Sequence, residues 1–194
     1  MLVRQYVIAN FIVDCNRLHS LGEGMSGDRS RPLLILDVDG VLNPHGPRAD
    51  PEPPWITFEA DWSGYVVALN PDHGKQLLAL AERTGCEIVW GTSWEEHANA
   101  EVAPRLGLPP LDVIQVNTQP LILGSLVLWK TGHIASYAQG RPFVWLDDHP
   151  GDTDSKFLAS HGAPDHLIIQ IDADEGLQDH HLQQAEDWLT AHGG

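Results

Sequence analysis

The sequence predicts an α/β domain in three layers, a parallel sheet with helices packed on both faces. Three observations carry that expectation. Four short runs are apolar almost throughout: residues 33–36 (LLIL), 86–90 (CEIVW), 143–146 (FVWL) and 166–171 (HLIIQI). Runs of that length without alternation belong to strands buried on both faces, which is the environment of a parallel sheet. Segments with helical signals separate them, and strand alternating with helix is the pattern of a covered parallel sheet. Three of the runs also lead straight into polar residues, at Asp37, at Thr92 and at Asp147-Asp148. In such sheets ligands bind at the carboxyl ends of the strands.

Each element can be justified in order. Residues 1–30 read as a poorly structured leader, punctuated at its end by Gly22, Gly24 and Gly27. Met25 is an alternative start, which leaves residues 31–194 as the domain. The first strand lies between Pro32 and Asp37. Residues 42–64 are Pro-rich without a period and read as a long loop, with a small β-hairpin formed near 55–58 and 65–69. Asn70 is placed to cap a helix whose first residue is Pro71. Leu77, Leu78, Leu80 and Ala81 form its apolar stripe, and Gly85 ends it. The second strand follows at 86–90. A helix is expected from Glu95 (EEHANAEVAPRL), then a third strand at 112–116 (DVIQV) and a helix at 130–138. The strand at 143–146, a short helix at 155–161 and the strand at 166–171 come next. An amphipathic helix at 177–191 closes the chain, with Leu182, Ala185, Trp188 and Leu189 facing inward. No internal repeat or low-complexity segment interrupts this order.

Composition narrows the function classes. At 194 residues the chain can fill one core. Its two cysteines, Cys15 and Cys86, make no disulfide framework and no metal-ligand pair, which points to a reducing, cytoplasmic setting. The longest apolar stretch near the start, YVIANFIV after Arg4, is far short of the ~20 residues of a membrane span. The residues after it, DCNR, offer no small-x-small cleavage site. Net charge is −16, and the only cluster of bases is the weak run at residues 28–31, so extended contact with a nucleic-acid backbone is disfavoured. The histidines show no HExxH pattern, and the adjacent pair His180-His181 suits no single-face zinc site.

The chemistry lies at the strand ends. DVDGV follows the first strand, GTSW the second and DD the fourth, while Lys130 opens a helix. Each has an ordinary structural alternative. Asp37-x-Asp39-Gly40 is also a turn sequence, Thr92 and Ser93 are also helix caps, and Asp147-Asp148 before Pro150-Gly151 is also a solvated turn. Lys130 is equally a solvated helix lysine. The four in this order nevertheless resemble the haloacid dehalogenase-like (HAD) phosphatase superfamily. Its pattern is an Asp-x-Asp-Gly-Thr/Val motif, then Thr or Ser, then Lys, then an acidic pair. The match covers residues 33 to about 150, and TSWEEHAN is similar to a segment of small bacterial HAD-like proteins.

The resemblance implies a Rossmann-like HAD fold and a Mg²⁺-dependent phosphohydrolase. Asp37 would be the nucleophile that forms an aspartyl-phosphate. Asp39 would be the general acid and base. Thr92 would hydrogen-bond a phosphoryl oxygen, and Lys130 would neutralise charge shared by Asp37 and the phosphoryl group. Asp37 and Asp147 would give oxygens to Mg²⁺ and Asp39 its main-chain carbonyl; Asp148 is either a ligand or a residue that orients one. Asp152 and Asp154 are read as loop residues that support the metal shell. The expected substrate is a small phosphate monoester or an accessible phosphate on a larger molecule. A catalytically silent binding domain and a phosphotransferase remain as alternatives. The two cap slots of the family, residues 42–70 and 93–129, are too short or too occupied for a large cap domain. Trp55, Trp62 and Trp94 either line the rim of the open site, where they would stack on a flat group, or pack in the core.

Overall fold

In the computed structural model, residues 31–46, 54–116 and 127–192 are described. The expected leader at 1–30 and the alternative start at Met25 lie outside them. The strands are β1 (Leu33–Leu36), β2 (Ile56–Glu59), β3 (Val66–Leu69), β4 (Glu87–Trp90), β5 (Asp112–Val113), β6 (Phe143–Asp147) and β7 (His166–Gln170). The α-helices are α1 (Asp72–Thr84), α2 (Ala103–Leu106), α3 (Thr131–Ala138), α4 (Asp152–Ser160) and α5 (Asp179–His192).

Five strands form a parallel sheet in the order β5-β4-β1-β6-β7. The chain leaves β1 toward β4 and β5, then returns to β6 on the other side. That reversal makes the carboxyl end of β1 the switch point of the sheet, where a crevice opens between diverging connections.

Alternate residues of each strand feed different layers. Leu34, Leu36, Ile88, Trp90, Val144 and Leu146 pack with α1, α2 and α5 through residues such as Leu77, Leu80, Leu106, Leu182, Ala185 and Leu189. Leu33, Ile35, Val89, Phe143 and Trp145 pack with Ile134 and Ala138 of α3 and Leu158 of α4. All four residues of β1 are fully buried, as a strand covered on both faces requires. The hairpin β2–β3 pairs antiparallel beside this sheet. No cap domain is evident among the described residues, and no helix among them is long and apolar enough to cross a membrane.

Several boundaries differ from expectation for identifiable reasons. Asn70 does cap α1: its Oδ1 accepts the Asp72 amide at 3.0 Å. The helix expected from Glu95 is broken up. Glu95 itself has φ +47, and residues Ala98–Val102 form a π-helical turn that leads into α2. Pro104 lacks the N–H that a regular helix would need there, and the wider turn relieves its clash with the preceding carbonyls. The strand expected at 112–116 stops at Val113. The Ile114 amide still reaches the Trp90 carbonyl at 2.9 Å, but the Val116 amide is taken by Oε1 of Glu95, and the backbone leaves the sheet. The helix expected from Ser155 begins at Asp152, because Asp154 turns back to cap it.

Candidate active site

Asp37 sits one residue past β1, at the switch point, and its side chain is buried. The ladder holds its backbone on both sides: the Asp37 amide reaches the Leu146 carbonyl at 3.1 Å, and the Gly91 amide reaches Leu36 at 2.9 Å. Its Oδ1 accepts the amide of Val38 at 2.8 Å, and its Oδ2 accepts Nζ of Lys130. Lys130 also donates to Oδ2 of Asp147 at 2.6 Å. Asp147 is the last residue of β6 and is fully buried, so it is no solvated turn residue. Nε1 of Trp145 donates to the same oxygen at 3.2 Å, and the His149 amide donates to the other at 3.0 Å. The buried Thr92 hydroxyl hydrogen-bonds the Asp37 carboxylate and accepts the Trp94 amide at 3.3 Å. Thr92 therefore serves the turn and the site together.

Electrostatics follow from this burial. Loss of solvent raises the Asp37 carboxyl to about 6; Lys130 pulls it down, and Asp147 pushes it further up. Burial alone would push the Lys130 ammonium down, but Asp37 and Asp147 outweigh it and hold it above the ordinary lysine value. Two buried carboxylates thus share one cation.

The second acid of the motif faces another way. A tight turn over residues 38–43 follows Asp37, closed by Asn43 N to Val38 O and Gly40 N to Asn43 O, both at 2.9 Å. Asp39 is half-buried; its Oδ1 accepts Asn43 Nδ2 at 3.1 Å and its Oδ2 accepts Nε1 of Trp94 at 2.8 Å. Asn43 also accepts the Ala68 amide at 3.0 Å, which ties this turn to the hairpin. Gly40 has φ +70, and a Cβ there would lie 2.6 Å from Cγ and Oδ2 of Asp148. The glycine of the motif lets the carboxylate of the fourth strand end approach the first.

Asp148 hydrogen-bonds Nδ1 of His149 at 2.6 Å. Asp147, Asp148 and His149 can bring one ligand atom each within 4.8 Å of one another, so this group could hold a metal ion. Asp37, expected beside Asp147 on the metal, shares Lys130 with it. Two buried carboxylates around one ammonium leave a surplus of negative charge, and with Asp148 beside them the hard oxygen donors suit a divalent cation. His149 was not read from the sequence; only its place directly after the acidic pair could have signalled it.

Asp154 was expected in a loop near the metal. It lies instead in the first turn of α4, buried, and binds three groups. Its Oδ1 accepts the Leu128 amide at 2.7 Å and the Thr131 hydroxyl at 2.5 Å, and its Oδ2 accepts the Gly151 amide at 3.0 Å. Asp152, exposed at the start of α4, takes no part in that bracing.

The expected tryptophans separate. Trp94 is 1% exposed and belongs to the core, with only its N–H turned to Asp39. Trp62 is 43% exposed at the tip of the hairpin and meets Trp94 edge-on, with ring centroids 5.4 Å apart. Trp55 is half-buried near the start of β2.

The model of one protein family, the HAD domain in Swiss Army Knife RNA repair proteins, matches residues 33–182. That span runs from β1 into α5 and contains every site residue described above. No curated protein and no solved structure matches the chain.

Proposed function

The chain belongs to the family of HAD domains in Swiss Army Knife RNA repair proteins, and from that premise we propose that it is a Mg²⁺-dependent phosphomonoesterase with Asp37 as nucleophile. The observation that carries this reading is the cluster Asp37–Lys130–Asp147 at the end of the central strand, with Thr92 on the same carboxylate. A carboxylate paired with a buried ammonium is held ionised and aimed at an incoming phosphoryl group. Phosphoryl transfer needs positioning and charge neutralisation more than elaborate covalent chemistry.

Asp37 attacks phosphorus, and the leaving alkoxide takes a proton from Asp39. Trp94 and Asn43 hold that carboxylate at a fixed angle. Asp39 then accepts a proton from the water that hydrolyses the aspartyl-phosphate. Thr92 hydrogen-bonds a phosphoryl oxygen, and Lys130 offsets the charge that Asp37 and the phosphoryl group share. Asp147 and Asp148, with Asp37 and the Asp39 carbonyl, would hold Mg²⁺, which when bound supplies further charge neutralisation at the phosphoryl oxygens. The family's description favours a phosphorylated RNA end as substrate. The acidic surface limits contact to that end, and a site with no cap among the described residues admits it.

The test is phosphate release from phosphorylated oligoribonucleotide ends and small monoesters, with and without a chelator. Turnover should require Mg²⁺ and vanish in Asp37→Asn, which keeps the shape but removes nucleophile and charge. More than a few per cent residual activity in that variant, or full activity without metal, would overturn the assignment.

A further inference from the structure

We propose that Trp62 is a stacking platform for the base of the nucleotide that carries the scissile phosphate. This rests on the phosphatase reading above and adds how the site recognises its substrate.

Three observations support it. First, Trp62 is an exposed indole on a braced element. The Asp61 amide beside it is held by Oε2 of the buried Glu101 at 3.0 Å. The turn is closed by Ala60 N to Tyr65 O at 2.8 Å and Gly64 N to Ala60 O at 2.7 Å. Arg105 lies 3.8 Å over the Phe58 ring and fixes β2 to α2. A rigid aromatic loses little entropy when it binds a flat ligand.

Second, the Trp62 ring is held by two neighbouring rings and yet stays exposed. Its ring stacks on His97, with centroids 5.0 Å apart and planes 18° apart, and Trp94 meets it edge-on at 79°. These contacts set the plane of the indole, and 43% of the residue remains exposed. Third, the platform is joined to the chemistry by two contacts. Trp62 touches Trp94, and Trp94 donates to Asp39, the acid that serves the leaving oxygen. A flat group on Trp62 would therefore lie on the Asp39 side of the site, the side to which the leaving oxygen is assigned. A nucleoside fits that description, since its sugar oxygen leaves and its base lies one sugar away.

Base–indole stacking accepts any base because every base has a π-face, and it needs no basic groove. It suits a chain of net charge −16 that contacts a single terminal nucleotide. The size of the effect follows from base–aromatic stacking, which corresponds to about 5- to 150-fold in affinity.

The experiment compares adenosine 5′-phosphate and adenosine 3′-phosphate with ribose 5-phosphate, in wild type, Trp62→Ala and Trp62→Phe. The ratio of kcat/KM for nucleotide over ribose phosphate should fall about 5- to 150-fold in Trp62→Ala, mostly through KM, and recover largely in Trp62→Phe. An unchanged ratio overturns the platform, even where the phosphatase reading stands. Binding of the same three compounds to Asp37→Asn, followed by tryptophan fluorescence, gives a readout independent of turnover. Nucleotide binding that exceeds ribose phosphate and collapses in Asp37→Asn/Trp62→Ala upholds the platform even if no ester is hydrolysed. Equal binding of all three compounds overturns it.

Discussion

Asp154→Asn tests whether Lys130, assigned to the proposed active site, is placed by a carboxylate that lies outside that cluster. Asp154 joins three backbone or hydroxyl donors: Leu128 and Thr131, which flank Lys130, and Gly151, which caps α4. Asparagine keeps the shape and one oxygen, which can still accept from Leu128 and Thr131. Its amide then faces the Gly151 N–H, donor against donor. One charge-assisted hydrogen bond is lost, for about 1.5–3 kcal/mol, and the lower end is expected because Gly151 is partly exposed to water. Relaxing this clamp lets the 128–131 turn shift, and Lys130 with it. A displacement of about 1 Å in a positioning group costs on the order of 100-fold in rate. The assays are urea denaturation and steady-state kinetics side by side. The expected outcome is a modest stability loss with kcat down about 10- to 100-fold and KM little changed. Leu182→Ala on α5 is the control: it lies in the core of the opposite layer, should lose about 2–5 kcal/mol, and should keep its kcat. If Asp154→Asn loses stability like that control but keeps wild-type kcat, the positioning role is wrong.

Two other outcomes follow from the same structure. Asp39→Ala should slow an alkyl phosphate about 100-fold or more but an activated aryl phosphate far less, because only the first leaving group needs a proton; equal losses would remove Asp39 from the acid role. His73 is buried in the first turn of α1, facing the Leu177 backbone, Asp72 and Asp179; burial lowers its pKa from 6.5 to about 4 against the pull of those groups. The unfolded chain therefore binds the proton first as pH falls, and about 3 kcal/mol of stability should be lost between pH 6.5 and 4. Denaturation midpoints of wild type and His73→Gln across that window check it; parallel slopes would refute it.

The fold was readable because a parallel sheet writes itself as short, fully apolar runs. All its strands point one way, so residues that follow those runs gather at one edge without any further information. That is why Asp37, Thr92 and Asp147, far apart in the chain, could be placed together from sequence; Lys130, at a helix start, was joined to them only by the family resemblance. Departures came where a single side chain overrode a pattern. Pro104 widened a helix into a π-turn, and Glu95 drew the Val116 amide off the sheet. Asp154 was hidden by Pro150-Gly151, which announces a turn, and its partners Leu128 and Thr131 lie 26 and 23 residues away. Periodicity tells which face a residue occupies, not which distant amide its oxygen accepts.

Trp94 shows the consequence most directly. From sequence, an indole four residues past a strand belongs either to the rim of the site or to the core. In the structure it does both, since an indole has a large apolar body and one donor at its edge. The body is 1% exposed and packs between the sheet and the helices, while the edge donates to Asp39 across 55 residues of sequence. Packing fixes the ring, the ring fixes the N–H, and the N–H fixes the carboxylate. The position of a half-buried carboxylate is in this way set by burial of an apolar surface, and the exposed Trp62 packs against the same ring. Core and site are one mechanical unit here, so a substitution that repacks Trp94 acts on Asp39 and Trp62 at once.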